Sequence, residues 1–135
     1  MTPSTILAFD FGTRRIGIAI GNTVSAQARA LAIVDAEPIA RRFDRIASLL
    51  AEWGPDRLVV GLALGREGER IEMTARCERF ARQLAGRFSL PVTLVDERYS
   101  SLAAQAHGAR AEDDAEAAAV ILRQYLAELP ARATQ

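Results

Sequence analysis

The sequence predicts an α/β fold, a mixed five-stranded sheet with helices on both faces. Three observations carry that prediction. Short runs rich in Ile, Val and Leu at 5–11, 16–20, 57–62 and 92–96 have the length and composition of buried strands. Longer stretches with apolar residues at helical spacing separate the later strands. The first strands instead follow one another with only turns between them. The predicted order is therefore β-β-β-α-β-α-β-α-α, an antiparallel meander that feeds alternating helices and strands.

Residues 5–11 form the first strand. Gly12-Thr13-Arg14-Arg15 is a turn, with Gly12 suited to positive φ, and Ile16-Gly-Ile-Ala-Ile20 returns as the second strand of a hairpin. A weaker third strand covers about 28–34. Ile39, Phe43, Ile46, Leu49, Leu50 and Trp53 then recur as one helix face, and Gly54-Pro55 ends that helix. Arg57–Leu62 is a strand. A second helix covers about 69–87, with Ile71, Ala75, Phe80 and Leu84 near one face. Pro91 precedes the last strand, 92–96, and two helices follow at about 100–107 and 113–128. The tail from about 130 to 135 is expected to fray. In a ribonuclease-H-like arrangement of this order, the first strand lies centrally beside the fourth. The ends of the first and last strands and the start of the final helix then meet.

Bulk properties bound the function. With 135 residues, the chain is expected to be one domain, and half its residues are hydrophobic, enough for a proper core. Its 17 cations, all Arg, balance 17 carboxylates. A net charge of zero argues against a protein that coats nucleic acid non-specifically, but not against an enzyme with a local Arg surface. Cys77 is alone, so no internal disulfide is expected, and a reducing cytoplasm is the natural setting. Met1–Thr5 is not expected to open a signal peptide, and no apolar run approaches membrane-spanning length. His107 has no partner motif and is assigned no chemistry.

Three acidic stretches sit far apart, each at the edge of an apolar run: Asp10, Asp96-Glu97 and Asp113-Asp114. Asp10 lies between Phe9 and Phe11, where an unpartnered carboxylate is costly. Backbone N–H groups of the following turn, or Arg14, could satisfy it. So could a divalent cation that gathers carboxylates from several elements. Asp96 and Glu97 leave a strand and face opposite ways, so only one can share a site with Asp10. Asp113 and Asp114 open a helix, where capping alone explains acidic residues. Arg14, Arg15 and Arg98 adjoin the acidic positions and are candidates for phosphate. Gly61 either admits close approach of a ligand or makes a tight strand exit. Arg66, Arg70, Arg76, Arg79 and Arg82 alternate with Glu67, Glu69, Glu72 and Glu78, a pattern that reads as a solvated helix face.

Four segments in order resemble the YqgF family: Asp10-Phe-Gly-Thr-Arg-Arg-Ile-Gly-Ile-Ala-Ile20, Val59-Val-Gly-Leu62, Pro91-Val-Thr-Leu-Val-Asp-Glu-Arg98 and Asp114-Ala-Glu-Ala-Ala-Ala-Val-Ile-Leu122. These are Holliday-junction-resolvase-like bacterial proteins, regarded as pre-16S rRNA nucleases. The resemblance implies a ribonuclease-H-like fold and processing of the 5′ end of the 16S rRNA precursor. By motif it gives Asp10, Glu97 and Asp114 the catalytic and metal-binding positions, with Mg²⁺ or Mn²⁺ as a pair of ions about 4 Å apart. The implied partner is nucleic acid, either precursor 16S rRNA in a pre-ribosome or branched DNA, handled by a monomer or homodimer. Competing readings are a junction-cutting DNA resolvase and a non-catalytic nucleic-acid-binding or ribosome-assembly module on the same fold. The chain departs from the family in its loops. Ala63 replaces a usual proline, Gly65-Arg-Glu-Gly68 replaces an Asn-Met-Asp-Gly-like run, and Tyr99-Ser-Ser follows Arg98. The stretch from there to Asp114 is short and lacks the usual basic run.

Overall fold

The computed structural model describes residues 4–97 and 112–133, with side chains for 4–97 and 114–129. The strands are β1 (Thr5–Phe11), β2 (Arg15–Asn22), β3 (Gln27–Asp35), β4 (Arg57–Leu62) and β5 (Val92–Asp96). The helices are α1 (Ile39–Trp53), α2 (Glu72–Phe88) and α3 (Glu112–Ala133). The strands form one sheet in the order β3-β2-β1-β4-β5. The β1–β2–β3 meander is antiparallel, while β1 pairs parallel with β4 and β4 with β5. The first strand therefore lies centrally beside the fourth, as the element order predicts.

Alternation along β1 sorts its residues between two cores. Leu7 and Phe9 face α1 and α2 with Phe43, Ile46, Phe80 and Leu84. Ile6 and Ala8 face α3 with Ala118, Ala119, Ile121 and Leu122. Strand β4 repeats the division, with Leu58 and Val60 on the first face and Val59 on the second. Extending the same phase puts Asp10 on the α3 face and Phe11 on the other. The first face holds aromatic and long aliphatic side chains. The second is thinner, because small residues let α3 lie close to the sheet.

Several local expectations change. Gly12 is not in the left-handed region; a side chain there would instead meet the Arg15 carbonyl oxygen at 2.6 Å, so the turn needs glycine for close approach. Gly54 does adopt φ 55° and closes α1, its N–H donating to the Leu50 carbonyl at 2.8 Å. Ile71 and Ala75 are exposed, and the buried face of α2 is Thr74, Cys77, Phe80, Ala81 and Leu84. Helix α2 begins later than expected because Thr74 accepts a hydrogen bond from the Ile71 N–H and donates to the Ala63 carbonyl, fixing the first turn. Helix α3 starts at Glu112 and continues through Pro130 to Ala133, past its expected end at 128. The expected helix at 100–107 and His107 lie outside the described residues.

Arg42 is a further departure from sequence pattern. It is buried on the apolar face of α1, with its guanidinium carbon 5.2 Å from the ring centre of Phe11 and 5.6 Å from that of Phe43. Its Nε donates to the Ala36 carbonyl at 3.0 Å. An arginine at an apolar position counts as solvent-facing in a periodicity argument, and nothing local marks it otherwise.

Candidate active site at the end of the sheet

The site assembles where β1 and β5 end and α3 begins. Asp10 occupies the last α3-facing position of β1 and pairs in register with Gly17 on β2. A Cβ at Gly17 would fall into the backbone of Asp114 and Ala115, so the absence of a side chain there lets the first turn of α3 rest on β2. That contact delivers Asp114 beside Asp10. Gly17 stands in the Arg-Ile-Gly run, but sequence alone does not mark it for this role; the register shows that it faces Asp10.

The phase of β5 chooses between the neighbouring acidic residues. Val92 packs with the α1/α2 core and Val95 with the α3 core. Asp96 thus turns with Val92, and Glu97 turns with Val95 toward Asp10. The Glu97 N–H extends the parallel pairing by donating to the Leu62 carbonyl at 3.2 Å. Its side chain is buried, lying over Gly61, where a Cβ would come 2.5 Å from Glu97 Oε2 and 2.6 Å from the Ile121 side chain. Gly61 therefore makes room for a site carboxyl.

Asp10 and Glu97 are hydrogen-bonded to one another. Burial pushes the Asp10 carboxyl up to about 6; the bond to Glu97 opposes the shift and the Asp114 charge adds to it. Burial pushes Glu97 up to about 9, reinforced by the Asp10 charge, by its bond to Asp10 and by the Asp96 charge. Two carboxyls without a cation between them share a proton. Asp114 is partly exposed and takes a different partner: Arg15 Nε donates to its Oδ2 at 2.8 Å.

The remaining expected residues divide plainly. Arg14 is exposed, and among the described residues no ion pair joins it to Asp10. Arg98 lies outside the described residues, as does the side chain of Asp113. Arg70 is tied to Glu78 by two hydrogen bonds of 3.0 and 2.7 Å, and Arg76 pairs with Glu72 at 3.6 Å, as a solvated helix face requires. Residues 65–69 close on themselves, Gly65 N–H donating to the Glu69 carbonyl at 2.8 Å and Glu67 N–H to Glu69 Oε1 at 2.9 Å. Cys77 is fully buried beneath the site. Burial pushes its thiol up to about 11, a backbone bond from Ala63 opposes the shift, and the Glu97 and Asp10 charges add to it. It is a core residue, as expected, and an unreactive one.

The donor set is all carboxylate oxygen, the chemistry of a hard divalent cation. Among the described residues no three such ligands are already drawn into a metal shell; Asp10 and Glu97 hold each other and Asp114 holds Arg15. The residues nevertheless fit a cation. Two crowded carboxyls with raised proton affinity and a third within electrostatic reach are a concentration of negative charge that a hard divalent cation would relieve.

Comparison with known proteins agrees with this fold. The family model described as RuvX, Holliday junction resolvase, matches residues 4–128. A Bordetella petrii protein named "Putative pre-16S rRNA nuclease" is 57% identical over 131 residues, covering 96% of this chain and 100% of that protein. A Burkholderia mallei protein of the same name is 54% identical over 133 residues, covering 94% and 90%. Among solved structures, T. thermophilus RuvC in complex with a Holliday junction substrate superposes with a TM-score of 0.60 at 16% identity, covering 91% of this chain and 93% of that one. The fowlpox virus resolvase in complex with its substrate Holliday junction DNA gives 0.57 at 13% identity, covering 93% and 98%. At such identities the likeness is one of fold, and the fold is ribonuclease-H-like.

Proposed function

The chain belongs to the RuvX family of Holliday junction resolvases, the family its motifs resemble, and from that membership we propose a divalent-metal-dependent nuclease that trims the 5′ end of the 16S rRNA precursor. The observation that carries this reading is the meeting of Asp10, Glu97 and Asp114 from three separate elements at one end of the sheet. The relatives' shared name supports the precursor as substrate. The cytoplasm, where such RNA is made, is the corresponding location, and among the described residues no helix is long and apolar enough to cross a membrane.

Asp10, Glu97 and Asp114 would hold Mg²⁺ or Mn²⁺, as a pair of ions. Bound there, the ions would supply a nucleophilic water at neutral pH and stabilisation of the leaving 3′ oxygen, giving a 5′-phosphate product. Asp10, central in the sheet and backed by the rigid β1–β4 pairing, fixes the position of the site. Glu97 is buried over Gly61 and so would hold its carboxyl toward the centre and away from bulk water. Arg15, with Arg14 before it and Arg98 next to Glu97 in sequence, would supply positive charge for the scissile phosphate.

Holliday junction cleavage is the second reading, favoured by the family's description. The purified protein incubated with Mn²⁺, a 16S precursor fragment and, separately, a four-way DNA junction tests the choice. Cleavage of the RNA near its mature 5′ end, with the junction untouched, is expected. Junction cutting with the RNA intact would overturn the assignment of substrate, and no cleavage of either would leave the non-catalytic nucleic-acid-binding module.

A further inference from the structure

The Arg15–Asp114 pair joins residues 99 positions apart in sequence across the edge of the site. Arg15 and Gly17 are two apart on β2 and so face the same side, the side on which Gly17 meets Asp10 in register and the Asp114 backbone in contact. The arginine stands at the rim of the acidic centre, and its guanidinium already binds one of the three site carboxylates. Its neighbour across β3 is Asp35, directly opposite in register and exposed. Arg15 thus has a second carboxylate within its reach that is not part of the centre.

We propose that Arg15 is a positioning residue that acts through Asp114: it occupies the third carboxylate as a built-in counter-ion, and gives it up when a divalent cation enters. This rests on the metal-binding reading of the site. Three consequences of the geometry support it. The Asp114 Oδ2 lone pair that accepts from Arg15 Nε, 2.8 Å away, is not offered to a metal in that direction while the pair stands. Both partners are partly exposed, at 43% and 32%, so the pair is weak enough to exchange. The released guanidinium stays at the rim, where the phosphate of a bound nucleic acid arrives. Arg15 thereby opposes metal binding and favours substrate binding, two effects of opposite sign from one side chain.

The test is Mn²⁺ affinity of the intact protein, read from free Mn²⁺ by electron paramagnetic resonance, with KM measured separately. Arg15→Gln is expected to bind Mn²⁺ on the order of three- to five-fold tighter, the scale of a partly exposed ion pair, while its KM for the nucleic acid rises several-fold. Arg15→Lys, which restores the charge, should return both values toward wild type. Asp10→Asn is expected to lose most Mn²⁺ binding. Arg15→Gln that binds Mn²⁺ no better than wild type, with Asp10→Asn still defective, overturns the inference and leaves the metal centre standing. Asp10→Asn that binds as wild type does overturns the centre and the inference together. Arg15 is surface-exposed, so the variants should fold, and an unchanged circular dichroism spectrum checks that.

Discussion

Asp10 and Glu97 make the metal-free protein sensitive to pH in a defined direction. Both carboxyls are held above their ordinary values, principally by burial. Between the unfolded value near 4 and the folded values of about 6 and about 9, the folded state keeps protons that the unfolded chain has released. Stability is then greatest on the acid side of this window and falls as pH rises through it. In EDTA the melting temperature is expected to drop by several degrees between pH 5.5 and pH 8.5. Asp10→Asn, which leaves Glu97 without a charged neighbour at that position, should lessen the drop and melt above wild type at pH 8.5. Mg²⁺ should raise the wild-type value at pH 8.5 and have little effect on the variant. Thermal melts across this range read all three outcomes, and a wild type more stable at pH 8.5 than at 5.5 in EDTA would contradict the shared proton.

At the scale of elements, glycines under α3 decide where its first turn lies. Gly17→Ala puts a methyl into the Asp114 backbone, which cannot yield as a side-chain end would. The helix must lift, with a loss of roughly 1–3 kcal/mol and displacement of Asp114 from the centre. Urea unfolding should show that loss, together with a fall in kcat larger than the stability change explains at temperatures where the variant is folded.

Elements also show what the sequence could and could not disclose. The strands were legible because their apolar runs are short and bounded by turns, and α1 because its period is regular and Gly54-Pro55 stops it. Choosing Glu97 over Asp96 needed the phase of β5 against β4, which a five-residue strand does not announce. In α2, Thr74 is buried because its hydroxyl is satisfied locally, so a polar residue took the place that Ala75 was expected to fill. The Arg15–Asp114 pair was beyond reach, since nothing in either segment encodes a partner so distant in the chain.

For the whole molecule, the topology explains why one end of the sheet is the chemical end. Parallel β1, β4 and β5 bring their C-terminal ends to the same edge, and the reversal into β2 keeps Gly17 there as well. Helix α3 closes the second face and begins at that edge, so three carboxylates distant in sequence become neighbours. The net charge of zero is consistent with the proposed recognition by local arginines around this edge.

The central claim is that these carboxylates cut a phosphodiester bond with a divalent cation, and Asp10 is the residue on which it turns. Single-turnover cleavage of a 5′-extended 16S precursor, by wild type and Asp10→Asn with Mn²⁺ and with EDTA, addresses it most directly. Cleavage by wild type only with metal is expected, with a 5′-phosphate on the product and a rate at least about a thousandfold lower for the folded variant. Metal-independent cleavage, or an Asp10→Asn rate equal to that of wild type, would contradict it.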